Sequence, residues 1–477
     1  MNRSENSIQL KTWLFVAIGI ALAALFVIRG LFEPRRPNVL LVTIDTLRAD
    51  HLGCYGYSKP VSPTLDRLAE KGVRFEYATV PRALTWPSLN SLWTGLYPLS
   101  HGVRDGMQSM NPDIITLGRI FSENGYQTGA FVTNFFPERY GFEVFENSFR
   151  QGKYQAEWDE KATERALAWL RERSGGPFFC WVHYIGPHTP YDPRPAYASR
   201  FAPGAFKYSG TIDELKSITI HREALSDEQL QHLIDRYDAQ IAEVDNQVAR
   251  LVDWLEEEGD WENTLLVLTA DHGEELFEHH HYFAHAGSIY EGSLRIPLIV
   301  VQPKRFEAGQ VRRELVEILD LFPTLLDGAS LRTPHTNQLL SQSPVPPGGQ
   351  SLLPLLEAPA PAGSAIAPQW DRYTFSELSV GDKTLFAVRN REWKMILNPE
   401  QAEVRPYRDT FYTTARRELY RLGEDPKEQN NVIDQHPQVT KRMEKAFEQW
   451  LEACDALPVE ELGADALEAM KAMGYFQ

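Results

Sequence analysis

Residues 38–45, NVLLVTID, form an apolar run, partly β-branched, that stops at Asp45. A strand that is apolar on both faces belongs to a parallel sheet covered on both sides, whereas a half-exposed strand alternates. The same pattern returns in PFFCWVHY, ending near His183, in NTLLVLTAD, ending at Asp271, and in IPLIVVQP after Arg295. Helical patterns lie between these runs. Ser62 to Lys71 opens on a Ser-Pro cap, Ile114 to Asn124 stops before Gly125, and Asp227 to Glu258 carries an apolar stripe from Leu230 to Leu255 at steps of three and four. Alternating strands and helices of this kind predict an α/β fold, a mostly parallel central sheet with helices on both faces. Ligands of such sheets bind beyond the carboxyl ends of the strands, where Asp45, Asp271 and His272 fall.

Upstream of this core, Trp13 to Ile28 is an unbroken apolar run of sixteen residues. As a helix it spans about 24 Å against a hydrocarbon core of about 30 Å, and Arg29 can extend it by snorkelling. No small-residue cleavage site follows, so residues 1–36 are expected to be an N-terminal membrane anchor and tether, with membrane localisation. Basic residues on both sides of the run leave its orientation open. Downstream, residues 37–330 form the expected catalytic domain, and residues 331–371, rich in proline, glycine and serine, a linker. Residues 372–477 read as a small α+β subdomain, with an antiparallel hairpin turning near Asn390 and a helix from Gln438 to Ala453. Arg389, Arg391 and Lys394 are expected on a solvated face of that hairpin.

Composition narrows the function. With 43% hydrophobic residues the 477-residue chain can bury a large core, and a net charge of −17 argues against nucleic acid as partner. An anionic substrate would need a local positive centre, such as a metal ion. Cys54, Cys180 and Cys454 are scattered, with neither disulfide-framework nor zinc-ribbon spacing.

In RALTWPSLNSLWTGLYPLSHG, residues 82–102, Thr85 stands two positions before Pro87, and proline suits the first helical position. Thr85 is therefore expected just outside a helix N-terminus, where it either caps the helix or serves as a nucleophile in a field that favours anions. Asp45 and Asp271 taken singly could be helix caps. Together, Asp45, Thr85, Asp271 and His272 make a site for one divalent metal ion. The imidazole favours manganese or zinc, with calcium or magnesium as the other choices. Such an ion would lower the pKa of the Thr85 hydroxyl and neutralise charge during attack on an ester.

The motifs NVLLVTIDTLRADHLGCYGY, SPTLDRLAEKGVRF, TWPSLNSLWTGLYPLSHGVRDG, FFCWVHYIGPHTPY, LTADHGEELFEHH, AHAGSIYEGSLRIPLIV, DLFPTLLDGAS and ELYRLGEDPKEQNNV occur in this order over most of residues 37–475. In motifs and order the chain resembles the sulfatase family of the alkaline phosphatase superfamily. The resemblance implies a metal held by Asp45, Asp271 and His272, a nucleophile at Thr85, and contacts to the transferred group or its leaving oxygen from His188 and His285. It also implies an extracytoplasmic catalytic domain for an anchored member. Several positions depart from the family pattern. The family's formylglycine precursor, cysteine or serine, is Thr85, its following arginine is Leu89, a second metal aspartate is Thr46, and the lysine and histidine of its GKWH segment match Asn134 and Phe136. The asparagine usual after HGVRD is Gly106, and His279 matches a family position, while His280 and His281 read as solvated.

A formylglycine hydrate expels sulfate with its second hydroxyl. A threonine ester must be cleared by attack at the central atom, which phosphorus accepts more readily than sulfur. Thr85 thus points to a phosphate-ester hydrolase or headgroup transferase with a phosphothreonine intermediate, as in the superfamily's threonine-using phosphodiesterases and phosphoglycerol transferases. The substrate expected is an anionic ester, on a lipid headgroup or a glycan. A sulfatase working without formylglycine is the nearest alternative, and a catalytically silent membrane-anchored binding protein the alternative of another class. Strand alternation with Tyr184 places His183 in packing.

Overall fold

The computed structural model describes residues 36–461, except 107, 135, 137–138, 151, 205, 222, 280–281, 342–347, 360–369, 381–382, 401–402, 408–409, 414 and 455–459. The first strand, β1 (Asn38–Ile44), is buried along its whole length, as its unbroken apolar sequence requires. The chain continues through α1 (Pro63–Lys71), β2 (Val73–Thr79), α2 (Thr85–Thr94), α3 (Leu117–Glu123), β3 (Gln127–Val132), β4 (Val144–Glu146), α4 (Gln155–Glu172), β5 (Phe178–Tyr184), α5 (Asp227–Glu257), β6 (Thr264–Ala270), β7 (Arg295–Val301) and β8 (Gln310–Glu317). These strands form one eight-stranded sheet in the order β8-β2-β7-β6-β1-β5-β3-β4.

β1 pairs in parallel with β5 and β6, and β3 in parallel with β5 and β4. The fold is therefore the expected α/β arrangement, a mostly parallel sheet flanked by helices. One strand departs from it: β7 runs antiparallel to both β6 and β2. Its continuous apolar run reports burial on both faces and says nothing about direction. β6 ends at Ala270 and the antiparallel β7 starts at Arg295, so both ends of the segment between them lie at the carboxyl edge of the sheet.

A second, four-stranded antiparallel sheet follows, β9 (Thr374–Val380), β10 (Lys383–Arg389), β11 (Trp393–Leu397) and β12 (Arg417–Arg421), with helix α6 (Pro437–Ala453) beyond it. Within residues 331–371 the chain forms short helices at Pro334–Leu340 and Leu353–Glu357. Arg104 is committed to the second sheet, to Glu377 (2.7 Å) and Thr384 (2.9 Å). Two side chains expected in solvent are instead in the seam between the sheets. Arg389 is buried against Glu291, and Lys394 lies between Glu428 (2.8 Å) and Glu291 (3.3 Å). Alternation along the hairpin could not reveal acceptors that come from distant segments.

The expectation of membrane localisation is corrected by the structure. Among the described residues no helix is long and apolar enough to cross a membrane. The run from Trp13 to Ile28 lies outside the described residues, as do His280 and His281.

Candidate functional site

Four strand ends and one helix start meet at the carboxyl edge of the sheet. Asp45 follows β1, Asp271 and His272 follow β6, His183 is the last residue but one of β5, Asn134 follows β3, and Thr85 is the first residue of α2. The helix starts two residues earlier than proline placement suggests. The first N–H groups of a helix have no intrahelical acceptor, so Pro87 in the third position sacrifices no bond. Leu84 is the N-cap and no side chain caps the helix, so Thr85 is not a cap. Ser88 Oγ donates to the Asp271 carbonyl oxygen, which ties this helix to the end of β6.

Each carboxylate presents one oxygen to the centre. Asp271 Oδ1 accepts from the backbone N–H groups of His272 (2.8 Å) and Thr46 (3.2 Å), while Oδ2 is buried without a hydrogen-bond partner. Asp45 Oδ2 accepts from Asn134 Nδ2, while Oδ1 is buried and unpartnered. His272 Nδ1 donates to the Gly273 carbonyl oxygen (2.9 Å), which leaves the lone pair of Nε2 facing inward. That nitrogen lies 3.6 Å from Asp271 Oδ2, 3.7 Å from Asp45 Oδ1 and 3.2 Å from Thr85 Oγ1. Thr46, where the family has a second aspartate, keeps its amide on Asp271 by adopting φ = 55°, costly for a β-branched residue.

Asp45, Asp271 and His272 converge closely enough to hold a metal ion, with ligand atoms all within 4.8 Å of one another. Two buried, unpartnered carboxylate oxygens beside an imidazole lone pair are the donor set a divalent cation satisfies. Without a cation they are held towards neutrality. Burial and the neighbouring Asp271 charge raise the Asp45 carboxyl, and burial lifts Asp271 to about 6. Burial pushes the His272 imidazole well below its ordinary value.

His285 and His188 stand beside His272, ring centroids 4.4 Å from His272 to His285 and 5.1 Å from His285 to His188. His285 Nδ1 bonds Glu274 (3.0 Å), and His188 Nδ1 bonds the Thr189 carbonyl (2.6 Å). Burial lowers His188 to about 3 and His285 to about 4, and raises Glu274 to about 7. His279 is stacked on Tyr290 at 3.6 Å and its Nε2 donates to the Glu428 carbonyl oxygen at 3.1 Å. The six residues singled out from the sequence, Asp45, Thr85, His188, Asp271, His272 and His285, are thus brought to one neighbourhood.

Four others share it. Glu274 orients His285, and Arg150, Asn134 and His183 form a chain running to Asp45. His183 is not packing alone: both faces of β5 are buried, so alternation does not discriminate, and its Nε2 lies 4.0 Å from Asp45 Oδ2. The rule that selected Asp45, a polar residue ending an apolar strand, would also have found His183 and Asn134. Arg150, in a loop, carries no such signal.

A family model described as Sulfatase matches residues 37–331, and one described as N-sulphoglucosamine sulphohydrolase, C-terminal, matches residues 278–453. The chain belongs to the sulfatase family. As a member it is an enzyme of the sulfatase and alkaline phosphatase superfamily, a hydrolase class that is typically metal-dependent. It is 25% identical to an N-acetylglucosamine-6-O-sulfatase of Bacteroides thetaiotaomicron over 86% of this chain and 85% of that protein. It is also 25% identical to a multifunctional alkaline phosphatase superfamily protein, PehA, of Trinickia caryophylli over 69% of this chain and 78% of that one. The member shares its fold with a solved structure of a protein in complex with its substrate D-glucosamine-2-N,6-O-disulfate, at TM-score 0.70 and 22% identity, over 88% of this chain and 98% of the other. A phosphonate monoester hydrolase of Agrobacterium radiobacter has the same fold, at TM-score 0.65 and 22% identity, over 87% and 95% of the two chains.

Proposed function

We propose that this sulfatase-family enzyme is a sulfuric ester hydrolase with Thr85 as its nucleophile. The observation that carries the reading is the meeting, at the buried strand ends, of Thr85 Oγ1 with His272 Nε2 and one unpartnered oxygen each of Asp45 and Asp271. The relatives support a sulfate ester ahead of the phosphate ester that Thr85 alone suggests, since several carry sulfatase names, among them an arylsulfatase of Clostridium perfringens. A sulfated sugar, of the class the glucosamine disulfate complex holds, is the substrate that follows.

In this reading Asp45, Asp271 and His272 hold a divalent cation, and manganese or zinc suits them better than calcium. Each carboxylate has one oxygen committed to N–H donors and offers only the other, whereas calcium collects six to eight oxygens. When bound, the ion supplies Lewis acidity to the ester oxyanion and to the nucleophile's hydroxyl. Thr85 Oγ gives its proton to water as it bonds the central atom in line with the leaving oxygen, and His285, whose Nδ1 faces Glu274, gives that oxygen a proton from Nε2 as its bond breaks. Water then attacks the central atom, passing a proton to His285 Nε2, and Thr85 Oγ leaves as its bond breaks and regains a proton from solvent.

A second reading, hydrolysis or transfer of a phosphate or phosphonate ester, is favoured by one observation. Thr85 has no second hydroxyl with which to expel sulfate, and Leu89, where the family's arginine stands, is fully buried in the core. The deciding experiment offers the purified full chain p-nitrophenyl sulfate, glucosamine 6-sulfate, p-nitrophenyl phosphate, bis-p-nitrophenyl phosphate and a phenylphosphonate, with manganese, zinc or calcium. Turnover of the sulfate esters is expected. Turnover of phosphorus esters alone would replace the sulfate reading with the second one, and metal binding without turnover of any ester would make the chain a silent member of the family.

A further inference from the structure

Asp45 faces the candidate metal position through one oxygen because its other oxygen is held by a chain of polar groups that starts at Arg150. The guanidinium of Arg150 is fixed on three sides. Nε donates to the Thr133 carbonyl oxygen (3.1 Å), an NH2 group donates to Asn134 Oδ1 (2.8 Å), and the plane lies over Trp158, 5.4 Å from the ring centroid. Arginine has no acceptor, so the Asn134 amide is oriented without ambiguity: Oδ1 faces Arg150 and Nδ2 faces the other way. Nδ2 then has two hydrogens and two partners, Asp45 Oδ2 and, at 3.2 Å, His183 Nε2.

That assignment fixes the His183 tautomer. Its Nε2 must accept, so its Nδ1 carries the hydrogen and donates to Thr43 Oγ1 at 2.8 Å. The Trp181 indole N–H also donates to Thr43 Oγ1 (2.8 Å). Asn134, His183, Thr43 and Asp45 are all fully buried, so none of these four can exchange its partner for bulk water. A positive charge on the acceptor side of Asn134 polarises the amide and strengthens the Nδ2–H bond to Asp45. Because Asn134 itself is neutral, it orients the carboxylate without neutralising it, and a cationic side chain at the same place would compete with a metal ion for that charge.

We propose that Arg150, acting through Asn134, is a positioning residue for Asp45, setting which carboxylate oxygen is offered to a divalent cation. The inference rests on the metal site proposed above. Its test is Mn2+ titration of the full chain, with free Mn2+ read by electron paramagnetic resonance, for the parent, Asp45→Asn, Asn134→Leu, Arg150→Met and Arg150→Lys, alongside urea unfolding of each.

Asn134→Leu keeps the volume and removes the relay, and is expected to weaken Mn2+ binding about 10- to 100-fold, the usual effect of losing a partner that orients a metal ligand. Arg150→Met is expected to weaken it by about tenfold or less, with Arg150→Lys between Met and the parent, because lysine keeps the charge without the planar fork. Arg150 is only half-buried, so its variants keep the test open if Asn134→Leu does not fold. If Arg150→Met lowers the urea midpoint while Mn2+ affinity stays at the parent's value and Asp45→Asn loses it, the chain is merely a brace and the relay is wrong. If Asp45→Asn binds Mn2+ like the parent, the metal site itself is wrong and the relay falls with it.

Discussion

Thr85 owes its place to the absence of any cap. It opens α2 behind Leu84, nearly fully buried, with its hydroxyl on the His272 Nε2 side. Replacing it by valine keeps the shape of the side chain and removes the one atom that can attack. Thr85→Val is expected to lower kcat at least about a thousandfold, as loss of a nucleophile does, while Mn2+ affinity changes little, because three other ligand groups remain. Thr85→Ser keeps the hydroxyl and should retain measurable activity. A valine variant with the parent's kcat would remove Thr85 from the mechanism. This residue was legible in the sequence as a hydroxyl near a helix start, but its place in the helix was not, because proline is tolerated throughout the first turn and so marks a start only to within two residues. Glu274 and Arg150 escaped notice for another reason. They act on side chains brought near by folding, and neither spacing nor periodicity records such a partner.

At the scale of elements, the seam between the two sheets holds more buried charge than its sequence suggests. Glu291, just before β7, accepts from Arg389 Nε at 3.1 Å to both oxygens and faces Lys394, which also lies against Glu428. Burial works to raise the Glu291 carboxyl, yet Arg389 and Lys394 outweigh it and hold it at about 2. Removing one partner from such a group leaves a buried charge without compensation. Lys394→Met is therefore expected to cost about 3–5 kcal/mol in urea unfolding, and the double variant Lys394→Met with Glu428→Gln to recover part of it. A single variant as stable as the parent would mean that the cation does not hold β11 in the seam. The strand pair itself was readable, since β10 and β11 turn where the hairpin was expected, at Asn390, and the stripe of α5 predicted a helix that ends within a residue of its expected end. Which face of the hairpin meets the rest of the molecule was not readable, because Glu291 lies 98 positions away from Arg389.

Across the whole molecule, ionisable groups buried near the sheet edge are driven towards their neutral forms, and this couples metal, protons and stability. Asp271, held at about 6 against an ordinary 3.8, binds more protons folded than unfolded between those values, so its contribution to stability falls as pH rises from about 4 to about 6. His183 and His285, each held at about 4, act in the opposite sense. Their neutral form is favoured in the fold, and that stability is complete above the ordinary value of 6.5 and is lost as pH falls towards 4. The two effects offset each other in the raw thermal midpoint. The increment produced by a metal separates them, because only the carboxylates must lose a proton to bind it, His272 being neutral already. Saturating Mn2+ at a hundred times its dissociation constant adds about 2.7 kcal/mol, and the corresponding rise in midpoint should be small at pH 4.5 and grow as pH rises through about 6, where Asp271 loses its proton. With Asp271→Asn the increment should shrink at every pH and lose the part of its slope that Asp271 supplies. Midpoints that rise equally at pH 4.5 and pH 7 would mean that the cation binds elsewhere than at these two carboxylates.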